Sequence, residues 1–363
     1  MTALAAETLL DQPPLQPAEV VELEGLVART LRASGSVVLC QAEAVTLLEA
    51  VASSVAGPGN RVLNVVTGPY GALFGGWLRR TGAEVFDLAV DHEGLSKGSF
   101  RTALAGMDTV ALTHAEAATG ADLELAGLLD VAGELGVLTV VDAVAAIGAE
   151  PIAVDDWGID VAVIGGQKAL AGPAGVSAAS ISERAWLRIE NNPGAPRSST
   201  LSVLDWAEGW LRTDRSRIPG TPSVLETRAL LAALRRLHAE GIGEVELRHR
   251  RARAATLAAV RVLGLRPWAA DGRRAAICTT VALPEAGSGL AGVLQPGVLQ
   301  PGALLAPGDG PLAGELFRVN HYGRAADLDV LLAGIDRVAD ALGVPGEREA
   351  ARKAAGAAWE ETA

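Results

Sequence analysis

Cysteine is nearly absent from this chain. Cys40 and Cys278 are the two among 363 residues, too few for a disulfide framework and without the spacing of a metal site. A reducing compartment, the cytoplasm, is the expectation, with no bound metal. Long apolar runs are missing as well: none reaches the roughly 20 residues that a membrane helix needs. The opening stretch MTALAAETLLDQPPLQPAEVVELEG has neither the basic start nor the extended apolar core of a secretory signal. Positive charge is in deficit. A formal net charge of −12 disfavours nucleic acid or an anionic membrane as a main partner. Lysine is scarce too. Of 31 Lys plus Arg, only Lys97, Lys168 and Lys353 are lysine.

What is present describes a globular protein. The chain is 49% hydrophobic and 20% charged, far from a disordered composition, and its length suggests roughly two domains. Residues 18–33 read as an amphipathic helix. The runs SVVLC, RVLNVV, EVFDLAV, TVALTHA, LTVVDAVAA and VAVIGG read as strands, separated by helical patterns such as GALFGGWLRRTG and ELAGLLDVAGELG. Strands alternating with helices imply an α/β fold with a mainly parallel sheet covered on both faces. Ligands bind such a sheet at the carboxyl ends of its strands. The expected division is an N-terminal segment 1–34, a large domain 35–249 and a smaller C-terminal α+β domain 250–363. Inside the last, the tandem GVLQP repeat reads as a Pro/Gly-rich loop with one brief strand.

Lys168 stands in VIGGQKALAG, an apolar and glycine-rich setting. Arginine substitutes for lysine where only charge matters. It cannot do so where a neutral amine must attack a carbonyl, because guanidinium does not deprotonate. A Schiff-base lysine and a snorkelling surface lysine are the two readings. Gly165 and Gly166 are expected to let the backbone pass close to a bound ring. Asp142 directly follows the apolar strand TVV. It is either a structural acid or a carboxylate holding a pyridine nitrogen protonated, which a pyridoxal-type ring requires. Glu116 and Thr119, in THAEAATG, are polar groups at another strand end. Alone they read as turn formers; beside Asp142 and Lys168, in this order, they belong to a site.

THAEAATG, VVDAVAAIG, GIDVAVIGGQKALAGPAGVS and FRVNHYG resemble the class V, fold-type I aminotransferases of the alanine–glyoxylate kind. The resemblance implies Lys168 as the Schiff-base lysine and Asp142 as the partner of the pyridine nitrogen. It implies that Val144 packs under the ring, that Tyr70 stacks on its other face, and that Gln167 precedes the lysine in the Gly-Gln-Lys manner of these enzymes. Arg318 takes the place of the arginine that grips the substrate α-carboxylate, a task suited to a bidentate guanidinium. Thr221 is expected to reach the ligand of a neighbouring subunit, which implies a homodimer or homotetramer.

One further absence matters. A pyridoxal phosphate enzyme of this family cradles the phosphate in a small-residue loop opening the helix after the first large-domain strand. Here that position reads LCQAEAVTLLEA, with no glycine run and with Glu43 in place. Glu43 is either a first-turn acid facing solvent or the acceptor for a hydroxymethyl group of an unphosphorylated vitamer. SERAWLRIENNPGAPRSSTLSVLDWAEGW, TPSVLETRALL and GLRPWAA are similar to the pyridoxamine–pyruvate branch of the family. That branch treats pyridoxamine and pyridoxal as substrates. The implied reaction is pyridoxamine + pyruvate ⇌ pyridoxal + L-alanine through a Lys168 Schiff base. The alternatives are a conventional pyridoxal 5′-phosphate enzyme of the alanine–glyoxylate or serine–pyruvate type, and a tailoring enzyme or lyase on the same fold. Where the pyruvate branch carries an additional arginine, nine positions before Arg318, this chain has Asp309.

Overall fold

A computed structural model describes residues 9–90, 94–284, 290, 294 and 304–363. Helix α1 (Pro17–Leu31) leads into β1 (Ser36–Cys40), α2 (Ala44–Val55), β2 (Arg61–Val66), α3 (Pro69–Arg80), β3 (Glu84–Ala89), α4 (Lys97–Leu104) and β4 (Thr109–Thr113). A two-residue pair, β5 (Ala115–Glu116) and β6 (Ala121–Asp122), precedes α5 (Leu125–Glu134), β7 (Leu138–Asp142), β8 (Val161–Gly165), β9 (Ser177–Ile181) and α6 (Glu183–Glu190). Then come α7 (Val203–Trp206), α8 (Val224–Glu240) and α9 (Ile242–Val262). The chain ends in β10 (Cys278–Ala282), β11 (Leu305–Pro307), β12 (Leu316–Asn320), α10 (Leu328–Ala341) and α11 (Arg348–Glu361).

The large sheet runs β1-β9-β8-β7-β4-β2-β3. The pairs β2–β3, β2–β4, β4–β7 and β7–β8 are parallel, and β9 alone is reversed between β8 and β1. The central runs TVALT, LTVVD and VAVIG are buried at every position, as strands covered on both faces must be. β9 was not expected. Its sequence SAASI has Ile181 as its one β-branched residue and no aromatic, little of what marks a strand, yet all five positions are buried. Tertiary pairing on both edges overrides its weak propensity.

Among the described residues, two large apolar cores form, with a small alanine-rich cluster besides. The larger holds the sheet and also Val20, Leu23, Leu26, Val27 and Leu31 of α1, so the helical part of segment 1–34 joins it. The smaller gathers α10, α11 and the antiparallel sheet β10-β12-β11. Helix α9 bridges them: Val245 lies in the large core, whereas Ala252, Ala255 and Ala259 lie in the small one. The expected 249/250 boundary therefore falls inside one continuous helix. The brief strand of the Pro/Gly-rich region is β11; the GVLQP repeat, apart from Leu294, lies outside the described residues. Among the described residues, no helix is long and apolar enough to cross a membrane.

Candidate active site

The candidate residues Glu116, Asp142 and Lys168 gather at the carboxyl ends of β4, β7 and β8, where a parallel sheet presents its ligand site. Asp142 ends β7, and its Oδ1 accepts a hydrogen bond from the Val144 amide at 3.0 Å. Burial pushes its carboxyl above the usual range. The Lys168 ammonium and the Val144 amide pull it back, and Glu43 adds to the upward push. A cationic ring N–H set against Asp142 would offset that burial cost, which is the fit a pyridoxal-type ring needs. Lys168 follows β8 in a tight turn closed by Ala171 N–H to Lys168 C=O at 3.0 Å and Gly172 N–H to Gly166 C=O at 2.7 Å. Its Nζ lies 5.1 Å from the centroid of the Tyr70 ring, within cation–π range.

Gly165 and Gly166 serve the chain itself. A Cβ on Gly166 would come within 2.6 Å of Pro173 C=O, and one on Gly165 would run into the Gln167 side chain and Ala44. The absent side chains at both positions leave room for the turn that carries Lys168.

Tyr70 opens α3 and is half-buried. Burial first, then the negative charge of Asp309, pushes its hydroxyl up to about 12, so it stays protonated. Glu116 is fully buried. Its oxygens accept only long bonds, from Gly71 N at 3.4 Å and Ala118 N at 3.3 Å. Burial lifts its carboxyl to about 7 against the pull of Lys168. A Cβ on Gly68 would lie 2.6 Å from Glu116 Cγ, so only glycine fits there. Thr119 donates to Thr67 C=O at 3.2 Å, and its own carbonyl accepts from Thr280 of β10 at 2.8 Å.

Glu43 is the residue immediately before α2 and caps no backbone amide with its side chain. Its Oε1 instead accepts from Gln167 Nε2 at 3.0 Å. That bond turns the carboxylate toward the lysine turn, and its charge reaches both Asp142 and Tyr70. A ring held by Asp142, Val144, Tyr70 and Lys168 fits this donor and acceptor set. Glu43 remains solvent-exposed, and a phosphate on that ring would meet its carboxylate with a like charge.

A family model described as aminotransferase class-V matches residues 22–287. The chain belongs to that family. It is 30% identical, over 329 residues, to a pyridoxamine–pyruvate transaminase of Mesorhizobium japonicum, covering 90% of this chain and 83% of that one. It is 28% identical, over 309 residues, to a serine–glyoxylate aminotransferase of Methylorubrum extorquens, covering 82% and 76%. Among solved structures, the pyridoxamine–pyruvate aminotransferase of Mesorhizobium loti superposes with a TM-score of 0.89 at 26% identity, covering 100% of this chain and 95% of that one. The seven-stranded mixed sheet with a small antiparallel sheet after it is the fold-type I arrangement of pyridoxal phosphate-dependent transferases.

In this aminotransferase the small sheet packs against the loop that carries Ala117 and Thr119. Arg318, in the middle of β12, is buried and donates from Nη1 to Ala117 C=O at 3.4 Å. Cys278 of β10 reaches the same carbonyl at 3.4 Å. The guanidinium fork that was expected to stand ready for a substrate carboxylate is engaged by Asp309: Nη2 lies 2.9 Å from Oδ1 and Nη1 lies 2.8 Å from Oδ2. Sequence reading noted Asp309 but missed this pairing. The available signal was an opposite charge in the turn before β12, which the β11–β12 hairpin brings back beside Arg318.

Thr221 is exposed, beside Gln41 and Ala42 in a cavity of about 620 Å³. Gln41 pins its loop, donating to Pro219 C=O at 3.2 Å and accepting from Ser223 N at 2.5 Å. The Thr221 loop is thereby tied to the turn that carries Glu43.

Proposed function

We propose that this class-V aminotransferase exchanges an amino group between unphosphorylated pyridoxamine and a 2-oxo acid, pyruvate first among them, giving pyridoxal and L-alanine. The observation that carries the reading is Glu43, bonded to Gln167 one residue from Lys168. The similarity to a protein named pyridoxamine–pyruvate transaminase supports it. When bound, the protonated pyridine ring supplies the electron sink that transamination needs. Asp142 holds the ring nitrogen protonated. Tyr70 and Val144 take the two faces of the ring, and Glu43 accepts from its hydroxymethyl group. Glu116 and Thr119 line the ring's edge. The pyridoxamine amine condenses with the oxo acid's carbonyl, releasing water; the Lys168 amine then moves a proton from the ring-side carbon to the substrate α-carbon, and takes the ring-side carbon as alanine leaves, before water frees pyridoxal. Arg318 orients the oxo acid. The working unit in this reading is a homodimer or homotetramer in which Thr221 contacts the neighbouring subunit's ligand.

Discrimination between vitamers follows from Coulomb's law. A phosphate charge about 4 Å from Glu43 costs about 1 kcal/mol in open water and about 4 kcal/mol once a ligand closes the site to an effective dielectric near 20. The wild type should therefore bind pyridoxal more tightly than pyridoxal phosphate. Glu43→Gly should narrow or reverse that preference, because the carboxylate is gone and the free amides at the start of α2 can hold an anion. Paired titrations of both proteins with both vitamers, followed by the absorbance of the lysine-bound ring, give the answer. Tight phosphate-ester binding that the substitution leaves unchanged would instead make this chain a conventional pyridoxal phosphate-dependent aminotransferase.

A further inference from the structure

A guanidinium carries five N–H donors in a fixed plane. In Arg318 the outer edge, Nη1 and Nη2, is filled by the two oxygens of Asp309 at 2.8 and 2.9 Å. A further Nη1 bond goes to Ala117 C=O. Nε is buried without an acceptor. The edge formed by Nε and Nη2 is thus the part of the guanidinium left for a ligand. The arginine side chain is 10% exposed and the aspartate 39% exposed, so Asp309 lies on the solvent side of the pair. Its charge is felt at Tyr70, the ring that covers Lys168. Asp309 therefore sits within the field of the active site, joining Glu43, Glu116 and Asp142 against the two cations Lys168 and Arg318.

An incoming carboxylate meets two conditions here. It cannot take the outer edge of Arg318 without displacing an intramolecular carboxylate that is already bidentate. Unpairing a largely buried charge is costly, and an internal competitor needs no association step. A second carboxylate on the same substrate would meet Asp309 with a like charge rather than a free cation. We infer that Asp309 is a specificity-determining residue for the second substrate, restricting it to 2-oxo acids with a single carboxylate, bound along the Nε–Nη2 edge of Arg318. This rests on the proposed aminotransferase reading, in which Arg318 orients the oxo acid, and names the substrate class that the reading leaves open.

The test compares wild type, Asp309→Asn and Asp309→Ala by two measurements. One is kcat/KM for pyruvate and for 2-oxoglutarate with pyridoxamine as donor. The other, independent of turnover, is the calorimetric Kd of oxamate, with one carboxylate, and of N-oxalylglycine, with two. Wild type should prefer the monocarboxylate in both. Each substitution should tighten N-oxalylglycine more than oxamate, narrowing the preference by about tenfold or more. Three results would overturn the inference: a wild type that takes both classes equally, variants that weaken both analogues alike, or no binding of either analogue by any of the proteins. Covalent attachment of pyridoxal, read by absorbance in the same samples, separates the two levels of the argument. Its loss in wild type defeats the proposed function, whereas attachment without carboxylate discrimination defeats only the role given to Asp309.

Discussion

Glu116 shows how a single buried residue sets a pH dependence. It is fully buried, holds two long hydrogen bonds and carries a carboxyl lifted to about 7 from 4.5. A carboxyl whose folded-state pKa is raised binds its proton more tightly in the native state. Its contribution to stability is whole below about pH 4.5 and is lost as pH rises through about 7. The loss amounts to roughly 3 kcal/mol, at 1.36 kcal/mol per pKa unit. Glu116→Gln should remove that slope. Urea unfolding at pH 5 and pH 8 checks it: wild type should lose more stability than the variant between the two. Equal losses would mean that Glu116 is not the titrating group. The comparison is needed because Asp122, raised to about 6, and Glu150, raised to about 7, titrate in the same window in both proteins.

At the scale of elements, the turn after β8 is tightly constrained. Ala171 adopts φ +49°, a left-handed conformation that costs an L-residue roughly 1 kcal/mol or more. Gly323, after β12, packs its backbone directly on the Ala171 side chain and itself has φ +53°. A methyl there would overlap Ala171 and would also force a side chain into a left-handed position. Gly323→Ala should therefore destabilise the fold by about 1–3 kcal/mol and push the 168–172 turn out of register. A lowered midpoint in thermal unfolding together with weaker pyridoxal attachment is the expected result. A loss of stability with unchanged attachment would show that the turn holds its shape without Gly323. The helices around the sheet are ordinary by comparison. Ser182 caps α6 by accepting from Ala185 N at 3.1 Å, and Asp327 caps α10 by accepting from Val330 N at 3.1 Å, as N-cap residues do.

Across the whole molecule, two cores meet at one loop. The carbonyls of Ala117 and Thr119 in the large domain receive bonds from Cys278, Thr280 and Arg318 of the small sheet. An alanine-rich layer (Ala115, Ala117, Ala145, Ala146, Ala275 and Ala276 among it) lets the two bodies approach closely beneath the site. Thr221, exposed in the single chain, marks where a second copy is proposed to complete it. Sedimentation should give a mass at least twice 37.1 kDa. A monomer that binds pyridoxal with full affinity would remove the role assigned to Thr221.

The strand–helix alternation, the mainly parallel sheet and the placement of Asp142 and Lys168 at strand ends were legible in the sequence. Apolar runs of five or six residues report double burial directly, and a parallel sheet presents its chemistry at one end. The class of the enzyme was legible as well, because its motifs are local. Strand β9 was not, because SAASI owes its strand to neighbours on both edges rather than to propensity. Nor was the burial of Glu116, whose THAEAATG context reads as a turn until Gly68 and Gly71, at the start of α3, pack against its side chain. The close contacts of Gly165 and Gly166 with Gln167, Ala44 and Pro173 were not legible either. The pairing of Asp309 with Arg318 was hidden for the same reason. A hairpin brings two residues nine positions apart into bidentate contact, and such a contact belongs to the tertiary structure alone.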